Sequence, residues 1–376
     1  MRYLSSGESH GPALTVIIEG LPAGIKIDQR LITRDLKNRQ KGFGRGDRMK
    51  IESDSPEFLS GLWRGKTIGS PLTIVIRNRD WDNWKDKKLT KKTVPRPGHA
   101  DLTGTLKYDT DDIQMIIERA SARETAAKVA VGSIAKIYLQ SFGVRLIGHT
   151  VGLGGILIDD IPDDYMRLKE LTEKSDLRCA DSIAASTIKK RIKKAMETGD
   201  TVGGVVEVKI FDVPPGIGSY VQWDRRLDGL LAQALMSIPS VKAVELGDGI
   251  SNADRSGSDV HDPIFYSSKR GYFRKSNRAG GIEGGMSNGE TIIARAYLKP
   301  ISTLRNALDS VDTNNHKTVK APYVRSDTAV IPAASIVAEA AAAWTIAICF
   351  AEKFGGDSIG ESLRNYRSYL KQIKGR

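Results

Sequence analysis

The run ALTVIIE at Ala13–Glu19 has the apolar, β-branched character of a strand, and Gly20 ends it. Residues 28–38 read as a short helix and 71–77 as a second strand, with a glycine- and arginine-rich loop, KGFGRGDRMK, at 41–50. Residues 84–93 are lysine-rich without hydrophobic periodicity, the pattern of an exposed loop. The clearest helix opens at Ser121, where Ser121, Ala122, Arg123 and Glu124 fit a capping box. Apolar residues then recur at helical spacing through Val129, Ile134 and Leu139 to a glycine stop at Gly143. A lysine-rich amphipathic helix follows at 183–196, and 205–211 alternates as a strand until Pro214, Pro215 and Gly216 break it. Asp224 is placed to cap a helix running to about Ser237. The loop AGGIEGGMSNG at 279–289 feeds a strand at 291–298, and Pro332 opens an alanine-rich helix that ends past Phe354 at Gly355 and Gly356. Strands and helices mix without strict alternation, repeat or linker. The pattern predicts one compact α+β domain over residues 1–376.

Composition narrows the class. A 40% hydrophobic, 27% charged chain of 376 residues has the profile of a soluble globular protein with a substantial core. Cys179 and Cys349 stand far apart without a partner motif, so neither a disulfide framework nor a structural zinc site is expected, and a reducing cytosol fits. Met1 runs directly into polar sequence and no signal peptide is expected. The apolar stretch 340–351, between Glu339 and Glu352, has twelve residues and is too short to span a bilayer. The net charge of +12 calls for an anionic partner: nucleic acid, a membrane or small ligands. Aromatics are only 6%, and no basic run is interleaved with them as a single-strand platform requires.

Five histidines occur. His10 in GESHG and His99 in RPGHAD sit in turns shaped by glycine and proline, where the backbone is open to a ligand and the imidazole can exchange protons. A capping or turn role is the alternative for each. His149, His261 and His316 read as packing or surface residues, and no pair has metal-ligand spacing. Arg39, Arg45 and Arg48 lie around the first glycine loop, Arg119 and Arg123 at the start of the capped helix, and Arg325 before Asp327; such guanidinium forks suit a small polyanion. Any one of them alone could be a solvated charge. The lysines at 85, 87, 88, 91 and 92 read as a solvated loop. The glycine-rich loop at 280–289 leads into a strand, whereas the dinucleotide fingerprint follows one. The residues alone stop at a cytosolic, anion-binding enzyme with two candidate acid–base histidines.

GESHG followed by PALTVIIEGLPAGI resembles the N-terminal signature of chorismate synthases. The resemblance continues in order through GRGDRMKIESD, SGLWRGKTIGSPL, RPGHADLTGTLKY, RASARETAAKVAVG, VKAVELGDG, GGIEGGMSNGE, KPISTL and RSDTAVIPAASIVAEA, covering nearly the whole chain. It implies a β-α-β sandwich, usually a homotetramer, found in the cytoplasm. The implied reaction is a 1,4-anti-elimination of phosphate from 5-enolpyruvylshikimate 3-phosphate to give chorismate, aided by reduced FMN without net redox change. Ser6 and KVAVGS depart mildly from the family pattern, and the insertions of bifunctional fungal forms are missing. A monofunctional enzyme supplied with reduced FMN is therefore expected, with NADPH as a candidate reductant of the flavin.

Carried over by motif, His10 would be the general acid on the departing phosphate, and His99 would set the protonation of the reduced cofactor. Ser9, Ser121 and Asp327 match residues that assist proton removal. The resemblance assigns FMN contacts to Arg119, Ala120, Ser121, Pro239, Ser240, Gly284, Lys299, Pro300, Ile301, Ser302, Thr303 and Arg325. Arg39 and Arg45 match positions linked to NADPH, or face the substrate. Arg48 and Arg123 are candidates for its phosphate and carboxylates. So many anions in one pocket would explain the basic balance, since each unpaired charge there would cost on the order of several kcal/mol. Neither nucleic acid nor membrane is then an expected partner. The rival readings are a nucleic-acid-binding protein and a flavoprotein oxidoreductase with net electron transfer.

Overall fold

The computed structural model describes residues 1–46, 54–87, 90–158, 160–323 and 327–374. Arg48 and Arg325 lie outside the described residues.

Two antiparallel sheets enclose a layer of helices. The first contains β1 (Arg2–Ser6), β2 (Ala13–Glu19), β3 (Pro56–Ser60) and β4 (Leu72–Arg77), in the order β1-β2-β4-β3. On β2 the buried positions Leu14, Val16 and Ile18 alternate with more exposed ones, as a sheet with one covered face requires. The second contains β5 (Arg145–Leu153), β6 (Ile156–Leu157), β7 (Gly204–Phe211), β8 (Val241–Leu246) and β9 (Ile292–Leu298), in the order β8-β9-β7-β5-β6. The helices used below are α1 (Gln29–Gln40), α2 (Asp101–Tyr108), α3 (Ile113–Arg119), α4 (Thr125–Gln140), α5 (Tyr165–Lys174), α6 (Ser182–Thr198), α7 (Leu227–Met236), α8 (Ile331–Phe354) and α9 (Ile359–Lys374). Helix α4 packs on β2 and β4, α8 packs on β5 and β7, and the two helices pack on each other. The expected sandwich is the observed one.

Close backbone approach sets these layers. A side chain at Gly132 would come within 2.3 Å of the Ala340 Cα, so α4 and α8 touch main chain to main chain. One at Gly148 would meet the Ser335 carbonyl oxygen at 2.1 Å, which seats β5 directly on α8. A buried charge cluster joins the same elements. Lys136 reaches Asp35 at 2.5 Å and Glu339 at 2.6 Å, and Glu339 accepts the Gly148 N–H at 2.7 Å. Burial alone would push the Lys136 ammonium pKa down, but the Glu339 and Asp35 charges outweigh it and raise it.

Helix α8 is longer than its uncharged middle. By length and composition it could cross a membrane, yet 83% of its most apolar stretch is buried inside the protein, as in a core helix. Two local expectations change. Ser121 does cap, accepting from Arg123 N–H at 3.2 Å, but it opens the 3-10 turn Ala122–Glu124, and the α-helix starts at Thr125. Asp224 lies in the 3-10 turn Trp223–Arg225, and α7 begins two residues after that turn.

Candidate active site

Residues 7–11 turn β1 back into β2. Gly7 has φ of +112°, and a side chain there would meet the Ala13 carbonyl oxygen at 2.4 Å, so only glycine makes this return. Asn78 donates from Nδ2 to Gly11 O at 2.8 Å. Helix α3 holds the other side. Glu118 O accepts the Ser9 N–H at 2.8 Å, Glu118 Oε2 accepts the His10 N–H at 2.9 Å, and Glu118 Oε1 lies 2.8 Å from His10 Nδ1. Burial pushes the Glu118 carboxyl pKa up, but the hydrogen bonds from His10 outweigh it and leave it below the usual range. An ionised carboxylate can only accept, so the proton between them belongs to Nδ1. Trp84 lies over the imidazole, with ring centroids 3.9 Å apart, and donates from Nε1 to Asp80 at 2.7 Å. Trp84 is thus half-buried on the site, not part of an exposed loop.

His99 is built in the same way. Asp101, fully buried at the start of α2, accepts Arg96 N–H at 3.0 Å and Arg96 Nε–H at 2.8 Å, and lies 2.5 Å from His99 Nδ1. Burial raises the Asp101 carboxyl pKa, yet the bonds from His99 and Arg96 hold it well below the ordinary carboxylate range. Arg96 Nη2 is also 3.1 Å from His99 Nδ1. Both contacts cannot be hydrogen bonds to one nitrogen, since Arg96 only donates, and the shorter approach to a carboxylate assigns the proton to Nδ1.

The described arginines of the site take three settings. Arg39 and Arg123 are buried and share Asp54, at 2.9 and 2.6 Å, and Arg39 also donates to Thr125 Oγ1 at 3.3 Å. Arg123 is the residue whose N–H Ser121 caps, and Ser121 Oγ accepts from Ser9 Oγ at 3.0 Å. Arg119 is exposed and donates to the carbonyl oxygens of Ser5 and Gly7 at 3.0 and 3.3 Å. Arg45 pairs with Asp327 at 3.0 Å, and Asp327 also accepts the Gly46 N–H at 2.6 Å.

Arg45 and Asp327 line a cavity of about 260 Å³ together with Thr201, Thr303, Arg305 and Tyr323. Thr303 ends the segment Lys299–Thr303, which connects the cavity to the His99 turn. Lys299 Nζ donates to Gly98 O at 2.5 Å, a side chain at Gly98 would approach Ser302 Cβ at 3.5 Å, and Ile301 O accepts Thr201 Oγ1 at 2.7 Å. Ser240, which follows Pro239 after α7 and has φ of +72°, accepts the Lys299 N–H at 2.9 Å. Pro300 is carried within the same segment. Ala120 is the residue after α3. Gly284 is exposed at a turn with φ of +58°, with open space where a side chain would be, and none of its bonds among the described residues reaches either histidine. A larger hollow of about 590 Å³ runs along the face of α1 bearing Arg30, Arg34 and Lys37, apart from both histidines.

Lys92 lies within electrostatic reach of both histidine corners. Burial lowers its ammonium pKa and Arg96 adds to this, while Glu118, Asp101 and Asp112 act against it. The carboxylates that hold His10 and His99 therefore both act on this one lysine, which is half-buried and not the solvated loop charge expected. Asp101 was visible two residues from His99 in RPGHAD. Glu118, 108 positions from His10, left no such signal, and neither did Asp54, Trp84, Arg305 or Tyr323.

Comparison with known proteins agrees along the whole chain. The family model described as chorismate synthase matches residues 1–350. A chorismate synthase of Pelobacter propionicus is 51% identical over 390 aligned residues, covering 100% of this chain and 99% of its own. One from Geobacter sulfurreducens is also 51% identical over the same shares, and one from Symbiobacterium thermophilum is 50% identical over 99% of each. A crystal structure of chorismate synthase superposes with a TM-score of 0.82 at 38% identity, covering 100% of this chain and 98% of that one.

Proposed function

The chain belongs to the chorismate synthase family, and from that premise we propose that it eliminates phosphate from 5-enolpyruvylshikimate 3-phosphate to give chorismate, with reduced FMN and no net redox change. This 1,4-anti-elimination would make it a carbon–oxygen lyase at the last common step of aromatic amino-acid biosynthesis. The observation that carries the reading is the cavity where Arg45, Arg305, Thr303 and Asp327 meet, joined by Lys299 and Gly98 to the His99 turn. Segments distant in sequence place cations and hydroxyls together there, as a phosphorylated carboxylate ligand requires.

The residues assigned to the flavin fit such a group by their chemistry. Lys299, Ser302 and Thr303 offer an ammonium and two hydroxyls on one segment, Arg119 and Arg325 add guanidinium groups, and Gly284 leaves open space. Reduced FMN, when bound, would supply the electron that the elimination borrows and returns. The protein's part is to position, protonate and neutralise. His10 would deliver the Nε2 proton to the departing phosphate, retaining its Nδ1 proton. His99, held by Asp101, would present Nε2 towards the cofactor. Ser9 and Ser121 would carry a proton between their hydroxyls, and Asp327, fixed by Arg45 and Gly46, would stand at the opposite wall. Arg123 is buried against Asp54 and would shape the substrate site more than touch it; Arg48 remains a proposed direct contact.

Arg39 is buried in the same pair, which favours Arg45 as the arginine that meets NADPH or substrate. We further propose a cytoplasmic homotetramer that binds neither nucleic acid nor membrane; two buried, unpaired cysteines accord with a reducing compartment. Purified protein, the enolpyruvyl substrate and chemically reduced FMN should form chorismate without oxygen, and none should form when FMN is omitted. Preferential binding of an oligonucleotide over the substrate at physiological salt would favour the nucleic-acid rival.

A further inference from the structure

We propose that Glu118 is the positioning residue of His10, fixing its ring and supplying the counter-charge that keeps a proton available on Nε2; this rests on the reading of His10 given above. Three hydrogen bonds join Glu118 to the dipeptide Ser9–His10. Its main-chain oxygen takes the Ser9 N–H, one carboxylate oxygen takes the His10 N–H, and the other takes the Nδ1 proton. One residue of α3 thereby sets the backbone and the side chain of a turn that belongs to the first sheet. Gln114, one helical turn earlier, donates to the same carboxylate and holds it in place.

Among the described residues, His10 Nδ1 is bonded and Nε2 is not. Trp84 covers the ring, and Asp80 anchors Trp84 in turn. With Nδ1 committed to a carboxylate and a ring face committed to an indole, Nε2 is the nitrogen left to act. An anion at Nδ1 stabilises the imidazolium needed before proton transfer, and afterwards keeps the neutral ring in the tautomer whose Nε2 can be reprotonated. His10 and Glu118 are both mostly buried, with 15% and 18% of their side chains exposed, so the pair is weakly screened. The Glu118 charge also acts on Lys92, opposing the fall in the Lys92 ammonium pKa that burial causes. His99 has its own carboxylate, Asp101, so Glu118 serves His10 alone.

Glu118→Gln removes the charge but keeps part of the geometry, because its amide oxygen can still accept the Nδ1 proton although its amide nitrogen cannot accept the His10 N–H. Glu118→Ala removes both, and Glu118→Asp keeps the charge on a shorter arm. In the anaerobic assay, Glu118→Gln should lower kcat roughly 10–100-fold with KM for the enolpyruvyl substrate within about twofold. Glu118→Ala should lose more, and Glu118→Asp should recover part of the rate. Ring 15N resonances of His10, recorded without flavin or substrate at alkaline pH where the ring is neutral, should show the Nδ1-protonated tautomer in the wild type and a mixture of tautomers in Glu118→Ala. Wild-type kcat in Glu118→Gln and Glu118→Ala, with His10→Ala inactive, would overturn the role of Glu118 and leave that of His10 standing. Wild-type turnover in His10→Ala would remove His10 from the mechanism and this inference with it. An unchanged tautomer pattern in Glu118→Ala would contradict positioning whatever the rates.

Discussion

Ser9 and Ser121, 112 positions apart in sequence, share a hydrogen bond of 3.0 Å between their hydroxyls. The two ends of that bond have different second duties. Ser121 also accepts the Arg123 N–H as the cap of a 3-10 turn, whereas the Ser9 backbone is held by Glu118 independently of its side chain. Ser121→Ala should cost about 1 kcal/mol of stability as well as turnover. Ser9→Ala should lower turnover and lose only the shared buried hydrogen bond, not the cap, so its stability loss should be smaller than that of Ser121→Ala. Urea melts and anaerobic rates on both single variants and the double variant check this. If the hydroxyls act as one path, the double variant should be no slower than the worse single one.

Asp101 is to His99 what a buried carboxylate is to any working imidazole: it chooses the tautomer. Asp101→Asn should cut turnover at least about tenfold, close to the loss expected for His99→Ala, because the amide can offer a donor where an acceptor is needed. Circular dichroism should show both variants folded. A fully active Asp101→Asn would mean that the orientation of His99 does not matter to the rate.

Asp54 is shared by two buried guanidinium groups, those of Arg39 and Arg123. Replacing it with Ala takes away a common counter-charge inside the protein, a change that typically costs about 3–5 kcal/mol. The measurement is equilibrium denaturation, and a loss below about 1 kcal/mol would show that the other partners of these arginines suffice.

A third carboxylate gives a pH signature away from the site. Glu207 on β7 lies 3.1 Å from His149 Nε2 and 2.7 Å from Arg295 Nε. Burial pushes its carboxyl pKa up, but His149 and then Arg295 and Lys209 outweigh this and hold it at about 2, against an ordinary 4.5. A depressed carboxylate stabilises the fold above its unfolded value and loses that contribution as pH falls towards the folded one. The stability difference between the wild type and Glu207→Gln should therefore be greatest near pH 7, on the order of 3 kcal/mol, and shrink from about pH 4.5 downwards. A difference independent of pH would contradict the pairing.

The local signals in the sequence were those that physics makes local. The β2 pattern at Ala13–Glu19 and the proline start and glycine stop of α8 appear where expected, and Ser121 caps, though a 3-10 turn and not the α-helix itself. Strand β5 was not legible, because eight of its nine residues are buried and the apolar–polar alternation that marks a half-exposed strand is absent. Strand β1 was missed for the opposite reason: RYLSS is a short polar edge strand. Helices α2 and α3 are each no longer than eight residues, too few for a periodic pattern, and α9 is a largely polar surface helix. In the site, both histidines stood out through their turns, and Asp101 was within sight of His99. Glu118, Asp54 and Trp84 acquire meaning only when α3, the residues before β3 and the lysine-rich loop fold against the β1–β2 turn. Such contacts have no fixed spacing along the chain.

The claim that a flavin serves this elimination without being consumed is tested most directly by counting chorismate molecules formed per reduced FMN, with flavin limiting and oxygen excluded. Many products should form per flavin, with the FMN still reduced when the substrate is exhausted. One product per flavin, with stoichiometric oxidation, would contradict it and mark the protein as an oxidoreductase.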